Sequence, residues 1–418
     1  MPHTATTSAD PAASAPRASS TRLIHHPYVP PAEFEAPQPA VHKASTVFFP
    51  NVAAMRERQW MDKSAYTYGL HGTPTTFTLE ERIATLEGGL QCLLAPSGLA
   101  ALALVNLGLL KTGDEVLLPD NAYGPGKDLA AGELRQFGIT HQVYDPTKPA
   151  DLADRVTPRT RLVWLEAAGS VTLEFPDLLA QARLCRELGV LSALDNTWGA
   201  GLAFNPFNLD GRGLAVDISV LALTKYPSGG GDVLMGSIVT RDAALHRKLK
   251  LCHMRLGLGV GGNDAEAVLR ALPTLPLRYA AADRSARRLA EWAARQAPFA
   301  QVLHPALPAS PGHAHWQAVC GAADAAGQGA AASLFSVVID EKFSREQVDA
   351  FCDALRLFRI GYSWGGPFSL VMPYELQTMR HDWPAHLARG TLVRFAIGLE
   401  DTADLQGDLQ HAMQQTLA

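Results

Sequence analysis

The chain has 418 residues, which is enough for two domains that each enclose a hydrophobic core. Hydrophobic residues make up 47% and charged residues 18% of the sequence, as in ordinary globular enzymes. The formal net charge of −5 gives no reason to expect nucleic acid or an anionic membrane as a partner. No apolar run is long enough to span a bilayer. The five cysteines are scattered and form no CxxC pair, so we expect free thiols and a cytoplasmic protein.

The first 72 residues differ in composition from the rest of the chain. Residues 1–20 are rich in Ala, Ser, Thr and Pro and predict a disordered tail, since they lack the continuous apolar core of a secretory signal. Five prolines between residues 25 and 40 exclude a helix or a central strand there. We therefore predict an extended arm over residues 21–72 that runs over another surface.

From about residue 75 the sequence alternates between helical and strand patterns. Helices are predicted at 78–88 and at 99–110, and short apolar strands at 115–119, 161–166, 190–195, 218–224 and 236–240. Near-continuous apolar strands separated by helices predict an α/β fold, in which a mostly parallel central sheet has helices on both faces.

A change of pattern near residue 272 marks the predicted domain boundary. Two prolines lie between 272 and 277, and a charged helix is predicted at 278–295. The remainder mixes helices with strands at 333–340 and 393–399, which predicts a smaller α/β domain. The predicted domains are 73–271 and 272–418.

Polar residues follow two of the predicted strands at the ends where parallel α/β sheets bind ligands. Asp195 ends the strand at 190–195, and Lys225 follows the strand at 218–224. These two side chains either share one functional cleft or form an ion pair that caps two strands. Ser97 and Gly98 begin the buried helix with a capping residue and approachable backbone amides, which can bind phosphate. A phosphate site, a carboxylate and a strand-end lysine together are what pyridoxal phosphate requires.

Eight sequence motifs occur in the order typical of one enzyme family. They are YGLHGTPT from Tyr68, LEGG from Leu86, PSGLAA from Pro96, AYGP from Ala122, DNTW from Asp195, ALTKY from Ala222, YSWGG from Tyr362 and LVRFAIGLED from Leu392. On these residues, from about residue 40 to the C-terminus, the chain resembles the Cys/Met-metabolism family of pyridoxal-phosphate enzymes. The YSWGG motif favours the β-lyase branch of that family. The resemblance implies an aspartate-aminotransferase-like (fold type I) architecture and cleavage of a carbon–sulfur bond.

The resemblance also implies which residues bind the cofactor, pyridoxal 5'-phosphate. Lys225 would form the Schiff base, Asp195 would pair with the pyridinium nitrogen, and Tyr123 would stack on the ring. The residues that would hold the phosphate are Gly98, Leu99 and Thr224.

For the substrate, a small sulfur amino acid, the resemblance implies a carboxylate site and a shared active site. Arg394, with Ser363 and Trp364 beside it, would bind the α-carboxylate, because a guanidinium can meet both carboxylate oxygens. Tyr68 would enter the active site of a neighbouring subunit, with the arm contacting that subunit, and act there together with Lys225 and Tyr123. The expected assembly is a homotetramer built from dimers. L-cystathionine is the expected substrate in methionine biosynthesis, with cystine and S-alkylcysteines also cleaved.

The sequence departs from the family pattern in two places. Leu70 occupies the position of an arginine that usually reaches the phosphate across the subunit interface. Either His71 partly replaces that arginine, or phosphate binding depends on the helix start, Thr224 and Tyr68. In addition, the run at 228–232 is SGGGD, where the family commonly has Gly-His.

Other functions have weaker support in the sequence. The γ-synthase, γ-lyase and methionine γ-lyase branches are disfavoured by the Ser-Trp pair at 363–364, and a regulator-binding protein by the presence of both Lys225 and Asp195. The GxSxG pattern at 361–365 is followed by prolines near the end of the chain, which argues against a hydrolase. The glycine pattern at 257–262 follows a helical segment, so no dinucleotide site is expected. His313 and His315, which we place in a loop, lack further ligands, and no metal site is predicted.

Overall fold

The computed structural model describes residue 28 and residues 36–321, 328–380 and 382–417. The predicted tail at 1–20 lies outside the described residues, and so does the part of the predicted arm before residue 36, apart from residue 28. All helices and strands given below lie in the compact unit formed by residues 40–418. Within the described ranges, no helix combines the length and the apolar character needed to cross a membrane.

Twelve strands are formed by the part of the chain that the structure describes. They are β1 Gln91–Ala95, β2 Glu115–Pro119, β3 Thr140–Tyr144, β4 Thr160–Glu166, β5 Leu191–Asp195, β6 Ile218–Ala222, β7 Gly236–Thr240, β8 Phe299–Leu303, β9 Leu334–Asp340, β10 Arg359–Ile360, β11 Leu370–Tyr374 and β12 Gly390–Ala396.

The α-helices of the same residues cover and connect these strands. They are α1 Val52–Arg56, α2 Pro74–Glu87, α3 Gly98–Leu109, α4 Gly124–Leu129, α5 Pro149–Arg155, α6 Leu178–Leu188, α7 Ala243–Leu256, α8 Gly262–Ala271, α9 Leu275–Ala293, α10 His313–Cys320, α11 Arg345–Ala354, α12 Leu376–Met379 and α13 Thr402–Thr416. Shorter turns are the 3₁₀ segments Gly69–His71 and Leu272–Thr274 and the π-helical segment Ala130–Leu134.

The first sheet has the strand order β1-β7-β6-β5-β4-β2-β3. Strand β7 pairs antiparallel with β1 and β6, while β6, β5, β4, β2 and β3 run parallel to one another. The mostly parallel central sheet predicted from the sequence is therefore confirmed.

Both faces of the first sheet are covered, which explains its near-continuous apolar strands. Successive residues of β2 pack into different clusters: Leu117 joins one core, and Val116 and Leu118 join another. Helix α6 contributes to the first of these cores through residues such as Leu178, and α3 to the second through residues such as Leu104.

The second sheet is smaller and has the order β10-β11-β12-β9-β8. Apart from the parallel pair β10–β11, its neighbouring strands are antiparallel. Its core contains residues of α9, α11 and α13, including Leu289, Phe351 and Leu405. A second, smaller sheet in the C-terminal part of the chain agrees with the predicted α/β architecture.

Several predicted bounds differ from the observed ones at helix starts. Helix α2 begins at Pro74 rather than 78, because the Thr73 side chain caps it and proline is tolerated in the first turn. Helix α9 likewise begins at Leu275 rather than 278, with Pro276 in its first turn. The expectation that His313 and His315 lie in a loop is wrong, since both lie in the first turn of α10.

Candidate active site

The C-terminal ends of the parallel strands border a cavity of about 540 Å³. The first sheet and its connections contribute six predicted residues, namely Gly98, Leu99, Tyr123, Asp195, Thr224 and Lys225. The second sheet contributes Arg394, and the connection between its strands β10 and β11 contributes Ser363 and Trp364. Nine of the ten residues singled out from the sequence therefore line one cavity.

Lys225 lies in the turn that follows β6, three residues beyond the last strand residue. Its Nζ atom donates a hydrogen bond of 2.8 Å to Oγ of Ser363 and lies 5.3 Å from the ring centroid of Trp364. Burial and the positive charge of Arg394 lower the pKa of Lys225 to about 8, against an opposing effect of Asp195. Such an amine can act as a nucleophile or accept a proton near neutral pH.

Asp195 is the last residue of β5, and its neighbour across the sheet is Glu166, the last residue of β4. The Oδ1 atom of Asp195 accepts a hydrogen bond of 3.0 Å from the backbone N–H of Thr197. Burial raises the pKa of Asp195, and hydrogen bonds from Thr197 and the charge of Lys225 oppose this shift. A buried carboxylate in this position is suited to bind a cationic nitrogen.

Glu166 is a cavity residue that the sequence reasoning missed. Burial and the nearby charge of Asp195 raise its pKa well above the ordinary range. Its Oε2 atom accepts a hydrogen bond of 2.9 Å from the backbone N–H of Tyr123, which precedes helix α4. Its position at the end of a predicted strand, beside Asp195, is the signal that would have identified it.

The start of helix α3 forms the anion-binding end of the cavity. The Ser97 side chain accepts a hydrogen bond of 3.0 Å from the backbone N–H of Ala100, as a capping residue does. A Cβ atom on residue 98 would lie 2.7 Å from Cβ of Ala222 in β6, so only glycine fits here. The first amides of the helix have no intrahelical partner and can bind a phosphate.

Thr224 lies at the same end, but its hydroxyl is already engaged. It donates to the backbone oxygen of Met235 at 3.3 Å and accepts from the Met235 N–H at 3.2 Å. A hydroxyl has two acceptor lone pairs and one proton, so donation to a phosphate requires a rotation away from the carbonyl.

Arg394 lies on β12, where its side chain is buried. Its Nη2 atom donates to the backbone oxygen of Ser363 at 3.2 Å, while its Nε atom has no hydrogen-bond partner. Ser363 has a φ of +90°, which is uncommon for a residue other than glycine. This backbone geometry lets one residue contact Lys225 through its hydroxyl and Arg394 through its carbonyl.

Comparison with known proteins identifies the family. The family described as Cys/Met metabolism PLP-dependent enzyme matches residues 20–414. The chain belongs to this family.

Individual members of the family are similar over most of their length. The enzyme is 38% identical over 379 residues to cystathionine β-lyase of Bordetella avium, covering 89% of this chain and 91% of that protein. It is 34% identical over 376 residues to cystathionine β-lyase MetC of Escherichia coli (strain K12), covering 88% and 91%. The crystal structure of cystathionine γ-synthase from Xanthomonas oryzae pv. oryzae matches with a TM-score of 0.79 and 28% identity, covering 91% of this chain and 93% of that chain.

Pyridoxal phosphate is the cofactor of this enzyme, as its family implies. The cavity fits that group, because its chemistry matches each part of the cofactor. An amine of lowered pKa at Lys225 suits the aldehyde, Asp195 suits the pyridine nitrogen, and the helix start at Gly98 suits the phosphate.

Tyr68 is the predicted site residue that does not line the cavity of its own chain. It is 44% exposed, and its hydroxyl lies 3.5 Å from Oγ of Ser45. The neighbouring Leu70 lines a separate, smaller pocket. His71, the candidate replacement for the missing arginine, accepts or donates a hydrogen bond of 2.8 Å with Thr67 and stacks on Trp60 at 4.9 Å between ring centroids.

Proposed function

We propose that this enzyme is a pyridoxal-phosphate-dependent carbon–sulfur β-lyase that converts L-cystathionine and water to homocysteine, pyruvate and ammonia. The observation that carries the proposal is the double contact of Ser363, which links the amine of Lys225 to the guanidinium of Arg394. A base for Cα and a receptor for the α-carboxylate thus lie side by side in one cavity. The similar proteins of Bordetella avium and Escherichia coli bear the name cystathionine β-lyase, which supports this substrate.

Arg394 orients the substrate. The unused protons of its terminal nitrogens can donate to both oxygens of the α-carboxylate. The incoming carboxylate also compensates a guanidinium whose pKa burial lowers. Binding at this position directs Cα of the amino acid towards Lys225.

Lys225 moves the protons of the reaction. The free amine of Lys225 would remove the proton from Cα of the bound substrate as a general base. The Cβ–S bond then breaks with its electron pair going to sulfur, and the Lys225 ammonium donates its proton to the departing thiolate. A pKa of about 8 suits both transfers, since the amine exchanges protons readily near neutral pH.

The remaining residues hold the reacting groups in place. When bound, pyridoxal phosphate supplies an electron sink for the charge that develops at Cα. Asp195 would favour the protonated pyridine nitrogen, and Tyr123 would support the ring. Glu166 fixes the backbone of Tyr123 through the hydrogen bond of 2.9 Å.

Product analysis tests the proposed reaction. The cofactor-loaded enzyme is incubated with L-cystathionine, and the products are separated and identified. Pyruvate with homocysteine is the expected result and assigns the enzyme to methionine biosynthesis. If neither pyruvate nor another oxo acid forms while borohydride still attaches the cofactor to Lys225, the substrate assignment is wrong and the cofactor assignment stands.

A γ-reaction is the second candidate, because a cystathionine γ-synthase matches the fold with a TM-score of 0.79. Oxobutyrate with cysteine as products would identify a γ-lyase. Synthesis of cystathionine from cysteine and an activated homoserine would identify a γ-synthase. The same assay with cystine and S-alkylcysteines measures how broad the β-reaction is.

The assembly that fits this function is a cytoplasmic homotetramer of dimers with shared active sites. The sharing of active sites between two subunits is supported by the position of Tyr68, which is exposed and lies away from the cavity of its own chain. Hybrid dimers of Lys225→Ala and Tyr68→Ala subunits test this arrangement. If Tyr68 acts in the partner's site, mixing two inactive proteins restores activity, because one of the two sites is then intact.

A further inference from the structure

Arg394 carries a buried charge without an anionic partner. Among the described residues no carboxylate lies within salt-bridge distance of it, and its hydrogen bond to the Ser363 backbone is 3.2 Å long. A buried charge is costly unless other groups compensate it. One such group is an aromatic ring, since Cζ of Arg394 lies 5.3 Å from the ring centroid of Tyr374.

The register of the second sheet fixes this contact. Met372 on β11 is paired with Arg394 on β12, and Tyr374 lies two residues further along β11. Side chains two residues apart on a strand share one face, and diagonal neighbours are within reach of aromatic and long side chains. Tyr374 therefore meets the guanidinium through regular strand pairing and needs no loop movement.

An aromatic ring is better suited to this position than a carboxylate would be. The donors of a guanidinium lie in its plane, and a ring placed over its face leaves them free. A carboxylate would occupy the same donors and compete with the substrate. Tyr374 therefore stabilises the charge of Arg394 without occupying its hydrogen-bond donors.

We propose that Tyr374 is a positioning residue for the substrate: its ring holds the Arg394 guanidinium in the orientation that receives the α-carboxylate. This inference rests on the proposed function, in which Arg394 binds that carboxylate. Tyr374 itself lines the cavity beside Tyr123 and Tyr362, so its hydroxyl offers an alternative explanation through a direct hydrogen bond to the substrate. The ring and the hydroxyl can be separated by mutation.

The test uses the cofactor-loaded enzyme and two ligands that cannot react. These are 3-(methylthio)propanoate, which has the carboxylate but no α-amino group, and the corresponding amide, 3-(methylthio)propanamide. Isothermal titration calorimetry measures the dissociation constant of each. The dissociation constant of the amide divided by that of the carboxylate reports how strongly the enzyme recognises the carboxylate, independently of any turnover.

Tyr374→Phe keeps the ring and should keep the ratio within about twofold, whereas Tyr374→Leu should lower it about tenfold, as expected for the loss of a desolvated cation–π contact. In turnover, Tyr374→Leu should raise KM by a similar factor and leave kcat nearly unchanged. Tyr374→Gln serves as a second ringless variant if the leucine variant fails to fold. Arg394→Met gives the limit at which recognition of the carboxylate is absent.

Three outcomes overturn the inference, and they differ in what else they affect. An unchanged ratio in the ringless variants, with loss in Arg394→Met, removes the role of Tyr374 and leaves the proposed function intact. Equal losses in Tyr374→Phe and Tyr374→Leu assign the effect to the hydroxyl instead of the ring. A ratio near one in the unmodified enzyme contradicts the carboxylate site itself, and with it both the inference and the role of Arg394 in the proposed function.

Discussion

Glu174 and Arg380 form a buried ion pair although 206 residues separate them in sequence, with 3.2 Å between Oε1 and Nη1. Arg380 also binds Asp120 at 2.6 Å, and His386 lies 2.9 Å from Glu174. Arg380 follows Met379, which lines the cavity. The pair therefore connects the wall of the active site formed by the segment after β11 to the loops that follow β2 and β4.

Replacement of Glu174 by glutamine should destabilise the enzyme by about 3 kcal/mol, because Arg380 then keeps a buried charge with one carboxylate fewer. Burial alone would raise the pKa of Glu174, but His386, Arg380, Thr172 and Asn121 lower it to about 2 from an ordinary value of 4.5. The ionised Glu174 carboxylate therefore stabilises the folded state fully above pH 4.5, and this stabilisation is lost as the pH falls towards 2. In thermal unfolding between pH 7 and pH 3, the stability of Glu174→Gln should fall less with decreasing pH than that of the unmodified enzyme. Glu133→Gln on the exposed surface is the control, and equal pH profiles for all three proteins would contradict this role.

The pH dependence of the rate at which the protein takes up the cofactor should reveal the lowered pKa of Lys225. Only the neutral amine attacks the aldehyde, so in the cofactor-free protein the rate of uptake should rise with pH to a midpoint near 8. Arg394→Met removes a charge that lowers this pKa and should move the midpoint up. Asp195→Asn removes a charge that raises it and should move the midpoint down. The cofactor's own titration is common to all three proteins, so shifts in the same direction in both variants would refute the assignment.

Two substitutions of Ser363 can distinguish the effect of its strained backbone from the effect of its hydroxyl group. Ser363→Ala and Ser363→Gly both remove the acceptor of the Lys225 hydrogen bond, and both should lose the same share of kcat. Only glycine adopts a φ of +90° without strain, so the glycine variant should be more stable than the alanine variant by about 1 kcal/mol. Unfolding midpoints and kcat are measured side by side. Equal stabilities would mean that the backbone at this position is not strained.

Gly98→Ala should weaken cofactor binding by tenfold or more while leaving the fold intact. The added Cβ would lie 2.7 Å from Cβ of Ala222, so helix α3 must move away from β6. This movement should lower the free energy of unfolding by about 1–3 kcal/mol. Fluorescence titration with pyridoxal phosphate gives the dissociation constant. The double variant Gly98→Ala/Ala222→Gly removes the nearest obstructing atom and should recover part of the affinity. Gly132→Ala, where no atom lies within 4 Å of the added Cβ, is the control.

The fold was predictable from the sequence for strands of the first sheet that have a neighbouring strand on both sides. Strands β2 and β7 have the predicted bounds, because apolar residues bordered by turn residues leave little ambiguity. Strand β3 was missed, since it is an edge strand in which Thr140 is exposed and the apolar run is short. Strand β1, at the opposite edge, was also missed; it directly follows a glycine turn.

The site residues that could be predicted are those in which a reactive polar side chain ends or follows an apolar strand. Asp195 and Lys225 were found because polar residues after apolar strands stand out. Tyr374 was missed because it follows Pro373 in a strand that the sequence pattern does not reveal, and its contact with Arg394 depends on strand register. Register between strands that are distant in sequence cannot be read from residue patterns alone.

The two sheets contribute different parts of the active site. Groups that suit the cofactor come from the first sheet and its connections. Groups that suit the amino acid come from the second sheet and its β10–β11 connection, namely Ser363, Trp364, Tyr374 and Arg394. Substitutions in the second sheet can therefore alter which amino acid is accepted while the cofactor-binding groups stay unchanged. For laboratory evolution towards new sulfur or selenium substrates, Ser363, Tyr374 and Arg394 should be kept, because the α-carboxylate is common to all of these amino acids. Other cavity residues of the same region, such as Tyr362 and Trp364, are the ones to diversify.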